Sequence, residues 1–354
     1  MSSRGLAIGV FLALGTAACA TVPDRDALEA TTAVLPGPAG HGPGTDGRAG
    51  FRRVFCEIAR GDGVVPADDP ECEGFLWRLA DEPAPPGGGL PGRPAGPLRW
   101  FIVTGALGDC FGEDSLPFRE AVARLSREGA SVETLLVSGR SGTEHNAAQI
   151  EAALAAAELG PEDRVALVGY SKGAVDILQF LVDYPESAGR VAAVVSVSGP
   201  ITGSPLAETG EWTYEHLLAH AFAGRCDPGD GRLVESLLPE TRTRWLAEHP
   251  LPGHVAYFSL AAFTTREHLA TGLRGTWQLL ADSDPRNDGQ VPVSDAMIPG
   301  STLLGYANSD HWGVALTVEN ALPHVAGRDD PRPYPQTQLL MAIRRFVESA
   351  TGDQ

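Results

Sequence analysis

The sequence has 354 residues, of which 43% are hydrophobic and 20% are charged, and its formal net charge is -18 at pH 7. This composition is typical of globular proteins, and the length allows one large α/β domain with additional segments. We do not expect a nucleic-acid partner, because phosphate binding needs a clustered basic surface and the sequence has no cluster of basic residues.

The first 18 residues predict a secretory signal peptide. Arg4 precedes an apolar run, residues 5–20. This run is too short and too rich in small residues to make a good membrane span, and it fits a signal peptide. The run ends in the sequence TAAC, which resembles a bacterial lipoprotein processing site and makes Cys19 a candidate for acylation, although Thr16 stands where such sites usually carry Leu. Plain secretion and an uncleaved anchor are the alternatives. We expect the mature chain to be exported, either tethered to the cell envelope through Cys19 or secreted.

Export changes the interpretation of the other four cysteines, Cys56, Cys72, Cys110 and Cys226. An even number in an oxidising compartment is compatible with two disulfides, for which three pairings exist. We hypothesise Cys56–Cys72, which closes a short local loop, and hence Cys110–Cys226; the other pairings and free thiols remain open. No CxxC pair or histidine cluster has metal-ligand spacing, so we expect neither a metal nor a cofactor.

The chain divides by composition into four parts, of which the predicted signal peptide is the first. Residues 19–50 are rich in Pro, Gly and Ala and predict a flexible tether, and residues 51–97 predict two short helical pieces and a second linker. From residue 98 to residue 354, strand-like and helical patterns alternate. The strand-like runs begin at Arg99, Ser131, Arg164, Val191, His254 and Ser301. Apolar strands separated by helices predict an α/β domain with a mostly parallel sheet covered on both faces.

A serine lies between two glycines where one of these strands meets a helix. The run VALVGYSKGAVDIL places Ser171 between Gly169 and Gly173. A tight strand-to-helix turn lifts the serine above the sheet, and the glycines allow strand and helix to approach each other closely. The helix N-terminus also favours a developing oxyanion. This pattern, G-x-S-x-G, predicts the nucleophile elbow of a serine hydrolase rather than a helix-capping serine.

The acid and the histidine of such a site follow the nucleophile in that order. The turn DSDPRNDGQVP offers Asp282, Asp284 and Asp288, and we favour Asp288 because it begins a tight Asp-Gly turn. His311 closely follows the last predicted strand, whereas His324 lies in a less suitable Pro- and Gly-containing stretch. The histidine is expected to take the proton of the serine, and the aspartate is expected to orient the imidazole ring.

Two backbone N–H groups are expected to form an oxyanion hole. One belongs to Lys172, which follows the nucleophile, and the other to the loop VTGALGDCFG, where we favour Ala106 over Leu107. For the side chain of Lys172 we expect exposure to solvent, with a contact at the mouth of the site as the alternative.

From about residue 98 to residue 351, the chain resembles the α/β-hydrolases, and within them the secreted bacterial true-lipase group. Besides the elbow, four stretches carry the resemblance: HNAAQIEAAL, VVSVSGPITGSPLAE, NDGQVPVSDAMIPG and NSDHWG. The resemblance assigns the family aspartate to Asp288 and the family histidine to His311. It also implies a helical lid at about residues 200–253, where aromatic and leucine side chains could line an acyl site or merely pack on the sheet: Trp212, Tyr214, Leu217, Leu218 and Phe222.

Two positions depart from the family pattern. The oxyanion loop begins Thr104-Gly105 where the family usually has His-Gly, and Gly313 stands where the family carries a calcium-ligating Asp, so we do not carry calcium over. The expected function is that of an exported serine esterase or lipase acting on small-molecule or lipid carboxylic esters. A polyester depolymerase, a thioesterase and a catalytically silent, envelope-tethered binding protein are the alternatives. The sequence does not predict an oligomeric state.

Overall fold

Seven parallel strands form the centre of the computed structural model, in the order β1-β7-β6-β5-β4-β2-β3. The structure describes residues 24–37, 44–66, 69, 72–84, 98–110, 112–209, 227–319, 323–330 and 332–352. The strands are β1 (Thr45–Asp46), β2 (Leu98–Val103), β3 (Val132–Leu135), β4 (Arg164–Tyr170), β5 (Val191–Val197), β6 (Ala256–Phe263) and β7 (Thr302–Asn308). The predicted α/β fold and all six predicted strands are therefore confirmed, and β1 is an additional strand.

Helices cover both faces of the sheet. Within the described residues they are α1 (Arg25–Glu29), α2 (Arg48–Gly61), α3 (Arg119–Arg127), α4 (Thr143–Ala156), α5 (Lys172–Asp183), α6 (Pro185–Ala188), α7 (Pro239–Glu248), α8 (Arg274–Ala281) and α9 (Gln336–Thr351). Successive side chains of a strand point to opposite faces. In β2, Trp100 and Ile102 join the apolar core under α2, α3 and α9, whereas Phe101 and Val103 join the core under α4 and α5. This double burial explains why the strands are apolar without alternation.

The predicted flexible tether is wrong for residues 24–37 and 44–50. Leu28 is buried, the backbone N–H and carbonyl of Val34 both bond to the Tyr306 hydroxyl, and β1 pairs with β7 in parallel. A strand at the edge of a sheet presents unpaired backbone groups that a neighbouring segment can satisfy. A two-residue strand is too short to show an apolar pattern, so composition alone does not reveal it.

The domain boundary predicted before residue 98 is also wrong, because the N-terminal segment (residues 24–37, 44–66, 69 and 72–84) packs into the same core. The first predicted helical piece is α2, whose Phe51 and Phe55 are buried against the sheet and α9. The second piece is not helical: residues 73–75 form a turn, and Leu76 makes an antiparallel bridge with Ala307. Cys56 and Cys72 are disulfide-bonded, with Cα atoms 5.8 Å apart, as hypothesised.

The predicted signal peptide and Cys19 lie outside the described residues. Among the helices that the structure describes, none combines the length and the apolar character needed to cross a bilayer.

Candidate active site

Ser171 lies between the end of β4 and the start of α5, at the carboxyl edge of the sheet. Its backbone has φ 53° and ψ -131°, a conformation that non-glycine residues rarely adopt and that is found most often at functional sites. The flanking glycines make this turn possible. A Cβ on Gly169 would lie 2.3 Å from the Ala174 Cα, and one on Gly173 would lie 2.5 Å from the Val103 carbonyl oxygen. The spacing G-x-S-x-G is therefore a steric requirement of this turn.

Ser171, His311 and Asp288 form one continuous hydrogen-bonded chain. The distance from Ser171 Oγ to His311 Nε2 is 2.9 Å, and the distance from His311 Nδ1 to Asp288 Oδ2 is 2.8 Å. In the tautomer that suits both contacts, Nδ1 donates to the carboxylate and Nε2 accepts the serine hydroxyl proton. Asp288 and His311 are buried, whereas Ser171 is partly exposed. The structure thus brings together the three side chains singled out from the sequence.

The Asp288 carboxylate is held from two sides. Its Oδ2 faces the imidazole, and its Oδ1 accepts hydrogen bonds from the backbone N–H groups of Gln290 and Val291, at 2.9 and 2.8 Å. The backbone N–H of His311 donates to the Asp288 carbonyl at 2.8 Å. One carboxylate oxygen of Asp288 therefore caps its own turn, while the other faces the imidazole ring.

The competing acids and histidine lie elsewhere. Asp284 is paired with Arg286, whose Nε is 3.1 Å from Oδ1, and Asp282 is exposed at the end of α8. His324 is exposed. These three residues are not part of the hydrogen-bonded chain of Ser171.

Two side chains that the sequence did not point to, Tyr170 and Asp310, support the histidine loop. The Tyr170 hydroxyl donates to the His311 carbonyl at 2.7 Å. Asp310, whose side chain is fully buried, accepts from Arg328 through Nε and Nη2, both at 2.9 Å, and from the backbone N–H groups of Ala270 and Gly313. The sequence signal was the acidic residue directly before His311, but its arginine partner lies 18 positions further along the chain.

The predicted oxyanion donors both belong to segments that adjoin Ser171. Lys172 is the first residue of α5, and the N–H groups of a first helical turn have no acceptor within the helix. The loop after β2 approaches the serine so closely that a Cβ on Gly105 would lie 2.8 Å from the Ser171 Cβ. The Leu107 N–H is engaged with the Gly139 carbonyl at 3.0 Å, which favours Ala106 as the second donor.

The Lys172 side chain is neither in solvent nor at the mouth of the site, so both expectations for it are wrong. It is fully buried, and its Nζ lies 2.5 Å from Oδ1 of Asp176, one helical turn further along α5. Burial lowers the pKa of Lys172 and raises the pKa of Asp176. The sequence did carry a signal, since the two residues have the i,i+4 spacing of a helical ion pair.

A small, mainly apolar pocket of about 40 Å³ opens beside Ser171. Its walls include the following residues: Ala106, Pro200, Leu206, Ala207, Val234, Leu237, Val291 and His311. A larger cavity of about 520 Å³ shares no lining residue with this pocket and lies beside Asn308 and Tyr334. The apolar walls place hydrocarbon surface, rather than charge, next to the serine.

The described parts of the predicted lid, residues 200–209 and 227–253, form one side of this pocket. Ser204 Oγ donates to the Gln290 carbonyl at 2.7 Å, which ties this region to the turn that carries Asp288. The candidate acyl-lining residues of the lid lie outside the described residues: Trp212, Tyr214, Leu217, Leu218 and Phe222. Cys110 is disulfide-bonded. Its predicted partner, Cys226, also lies outside the described residues, so that pairing stays a prediction.

Known proteins resemble this chain to different degrees. No protein-family model and no curated protein matches it. The crystal structure of the metagenomic carboxyl esterase MGS0156 is 40% identical, with a TM-score of 0.79, over 93% of this chain and 99% of that chain. The mature lipase BlEst2 of Bacillus licheniformis is 21% identical over 64% of this chain and 89% of that chain, and its TM-score of 0.49 is too low to bear on activity. On the strength of the first likeness, and in agreement with its all-parallel sheet, the chain belongs to the α/β-hydrolase superfamily, in the family of this esterase.

Proposed function

We propose that the protein is a serine hydrolase that cleaves carboxylic esters through an acyl-enzyme on Ser171. The observation that carries this proposal is the hydrogen-bonded chain from Ser171 Oγ through His311 to Asp288. The likeness to the carboxyl esterase MGS0156 supports the same reaction class. The strained backbone of Ser171 supports it as well, because an ordinary helix cap needs no such strain.

The first half of the reaction forms the acyl-enzyme. Ser171 Oγ attacks the ester carbonyl carbon while its proton moves to His311 Nε2, and the carbonyl oxygen becomes an oxyanion facing the backbone N–H groups of Ala106 and Lys172. The C–O bond to the alcohol then breaks, and the proton on Nε2 passes to the leaving alkoxide oxygen. Asp288 stabilises the imidazolium that exists between these two transfers.

The second half returns the serine. A water molecule gives a proton to His311 Nε2 and attacks the acyl carbon, and the proton then passes to Ser171 Oγ as the carboxylic acid is released. The apolar walls formed by Leu206, Val234 and Leu237 suit the hydrocarbon part of an acyl group. Small-molecule or lipid esters are therefore the proposed substrates.

Hydrolysis of p-nitrophenyl esters of short and long chain length tests this function. We expect turnover with an initial burst of p-nitrophenol, because acylation releases the phenol before the acyl-enzyme is hydrolysed. An absence of turnover on every ester would contradict the proposal and favour a silent binding protein. Comparison with thioesters and with an insoluble polyester separates the esterase from the alternative acyl hydrolases.

We also propose that the chain is exported and acylated on Cys19. The disulfide between Cys56 and Cys72 supports an oxidising compartment, where such bonds persist. Cys19→Ser should move the protein from the membrane fraction to the soluble fraction and abolish its labelling with palmitate. Palmitate labelling that persists in the variant would contradict acylation at this residue.

A further inference from the structure

A buried polar network lies behind the proposed nucleophile, and the chemistry of the triad does not use it. Lys172 and Asp176 form an ion pair in which each side chain is 1% exposed. The desolvation of a buried ion pair costs so much that apolar side chains of similar size are often equally stabilising. Stability alone therefore gives little reason for a charged pair at this place.

The second oxygen of Asp176 connects the pair to another helix. Asn146 of α4 donates through Nδ2 to Asp176 Oδ2 at 2.8 Å and to the Ser138 carbonyl at 3.0 Å. The Asn146 Oδ1 atom is buried without a hydrogen-bond partner among the described residues, so the amide contributes here only as a donor. The amide and the nearby Arg242 guanidinium both favour the ionised form of Asp176, in opposition to the effect of burial on its pKa.

The network continues into the loop that carries the other proposed oxyanion donor. Directly after Ser138, the Gly139 carbonyl accepts from the Leu107 N–H at 3.0 Å, and the Gly139 N–H donates to Asp109 Oδ1 at 3.0 Å. Leu107 and Asp109 belong to the loop of Ala106. One hydrogen-bonded path thus runs from the side chain of Lys172 to the backbone beside Ala106.

We propose that Lys172, Asp176 and Asn146 are positioning residues that set the distance between the two oxyanion donors, the N–H groups of Ala106 and Lys172. This inference rests on the proposed function. An oxyanion donor acts only when it lies at hydrogen-bond distance from the developing charge, and misplacement by about 1 Å can reduce the rate by ~10²-fold. The ion pair fixes the first turn of α5, and Asn146 fixes that turn relative to the oxyanion loop.

The test is the double variant Lys172→Met with Asp176→Leu, which removes both charges and keeps the number of side-chain heavy atoms within one at each position. We expect kcat to fall by about ten-fold with KM changed less than about two-fold, because the loss is confined to the transition state. A trifluoromethyl ketone provides a second readout. Ser171 Oγ adds to its carbonyl carbon, His311 takes the serine proton, and the resulting oxyanion occupies the proposed site. Its inhibition constant should rise in parallel with the loss of kcat.

The matched control is Arg52→Met with Glu82→Leu, which removes another buried ion pair, in the N-terminal segment. The control should keep the kcat and the inhibition constant of the wild type. If the first double variant folds and retains both values, the inference is wrong. If that variant does not fold, Asn146→Leu, which leaves the ion pair in place, provides the test. We expect it to lower kcat with little change in KM. Wild-type values of both would overturn the inference. A wild-type protein without esterase activity would instead contradict the proposed function.

Discussion

The edge of the sheet around Ser171 and the N-terminal segment both bury polar contacts, but the contacts differ in what they connect. Around Ser171, the hydrogen bonds run in line through His311 to Asp288 and end on a strained, partly exposed hydroxyl. In the N-terminal segment, the contacts join α2 to the stretch from Leu76 to Glu82. Arg52 is held by both Glu82 oxygens and by the carbonyls of Leu76 and Trp77.

This difference implies that rate and stability depend on separate parts of the molecule. The chain through His311 orients three side chains toward one reacting atom, so its loss should appear mainly in kcat. The contacts of the N-terminal segment hold that segment in its folded position and do not orient a reacting group. Their loss should therefore appear mainly in the free energy of unfolding. Ester turnover measures the first property, and chemical denaturation measures the second.

Ser171→Ala should give the largest effect. Removal of the serine in a subtilisin-type triad lowers kcat by about 10⁶-fold. We expect a loss of similar size with a nearly unchanged free energy of unfolding, because only one partly exposed hydroxyl is removed. Ester turnover by the purified variant above a few per cent of the wild-type value would contradict the nucleophile assignment.

Asp288→Asn should lower kcat by up to about 10⁴-fold, because an amide favours the wrong histidine tautomer. Asp282→Asn and Asp284→Asn are matched controls in the same stretch, and their kcat values should stay close to that of the wild type. Steady-state kinetics of the three variants check the ranking. A larger loss for Asp284→Asn than for Asp288→Asn would move the acid upstream.

Glu82→Gln should act in the opposite way. The Arg52–Glu82 pair is buried, with side chains 6% and 2% exposed, and loss of one partner leaves the other charge uncompensated. We expect a loss of about 3–5 kcal/mol in the free energy of unfolding. The kcat of the folded fraction should remain that of the wild type. A parallel fall in kcat under conditions where the variant is fully folded would show that the two regions are coupled.

Cys56→Ser with Cys72→Ser should give the smallest of these effects. The bond closes a loop of 16 residues, which corresponds to about 3 kcal/mol in the chain-entropy model. Urea denaturation of the variant and of the oxidised wild type measures this difference. Equal denaturation midpoints would mean that the disulfide does not stabilise the N-terminal segment.

The sequence predicted the active-site edge of the sheet better than it predicted the N-terminal segment. The elbow around Ser171 is a local pattern. The order of acid and histidine along the chain then limits the candidates for these two roles, which leads to Asp288 and His311. The pairing of β1 with β7 joins residues more than 250 positions apart, and two residues carry no periodic signal. The i,i+4 spacing of Lys172 and Asp176 indicates their ion pair. The contact of Asp176 with Asn146 comes from a different helix, so no local pattern reveals it.

The proposed mechanism requires that Ser171 Oγ is the nucleophile that becomes acylated. The most direct measurement is mass spectrometry of peptides after reaction with a serine-directed phosphonate, carried out on the wild type and on His311→Ala. We expect one adduct per chain, located on Ser171, that forms much more slowly in His311→Ala because the general base is missing. An adduct on another serine, or labelling of Ser171 at an equal rate in both proteins, would contradict the proposed mechanism.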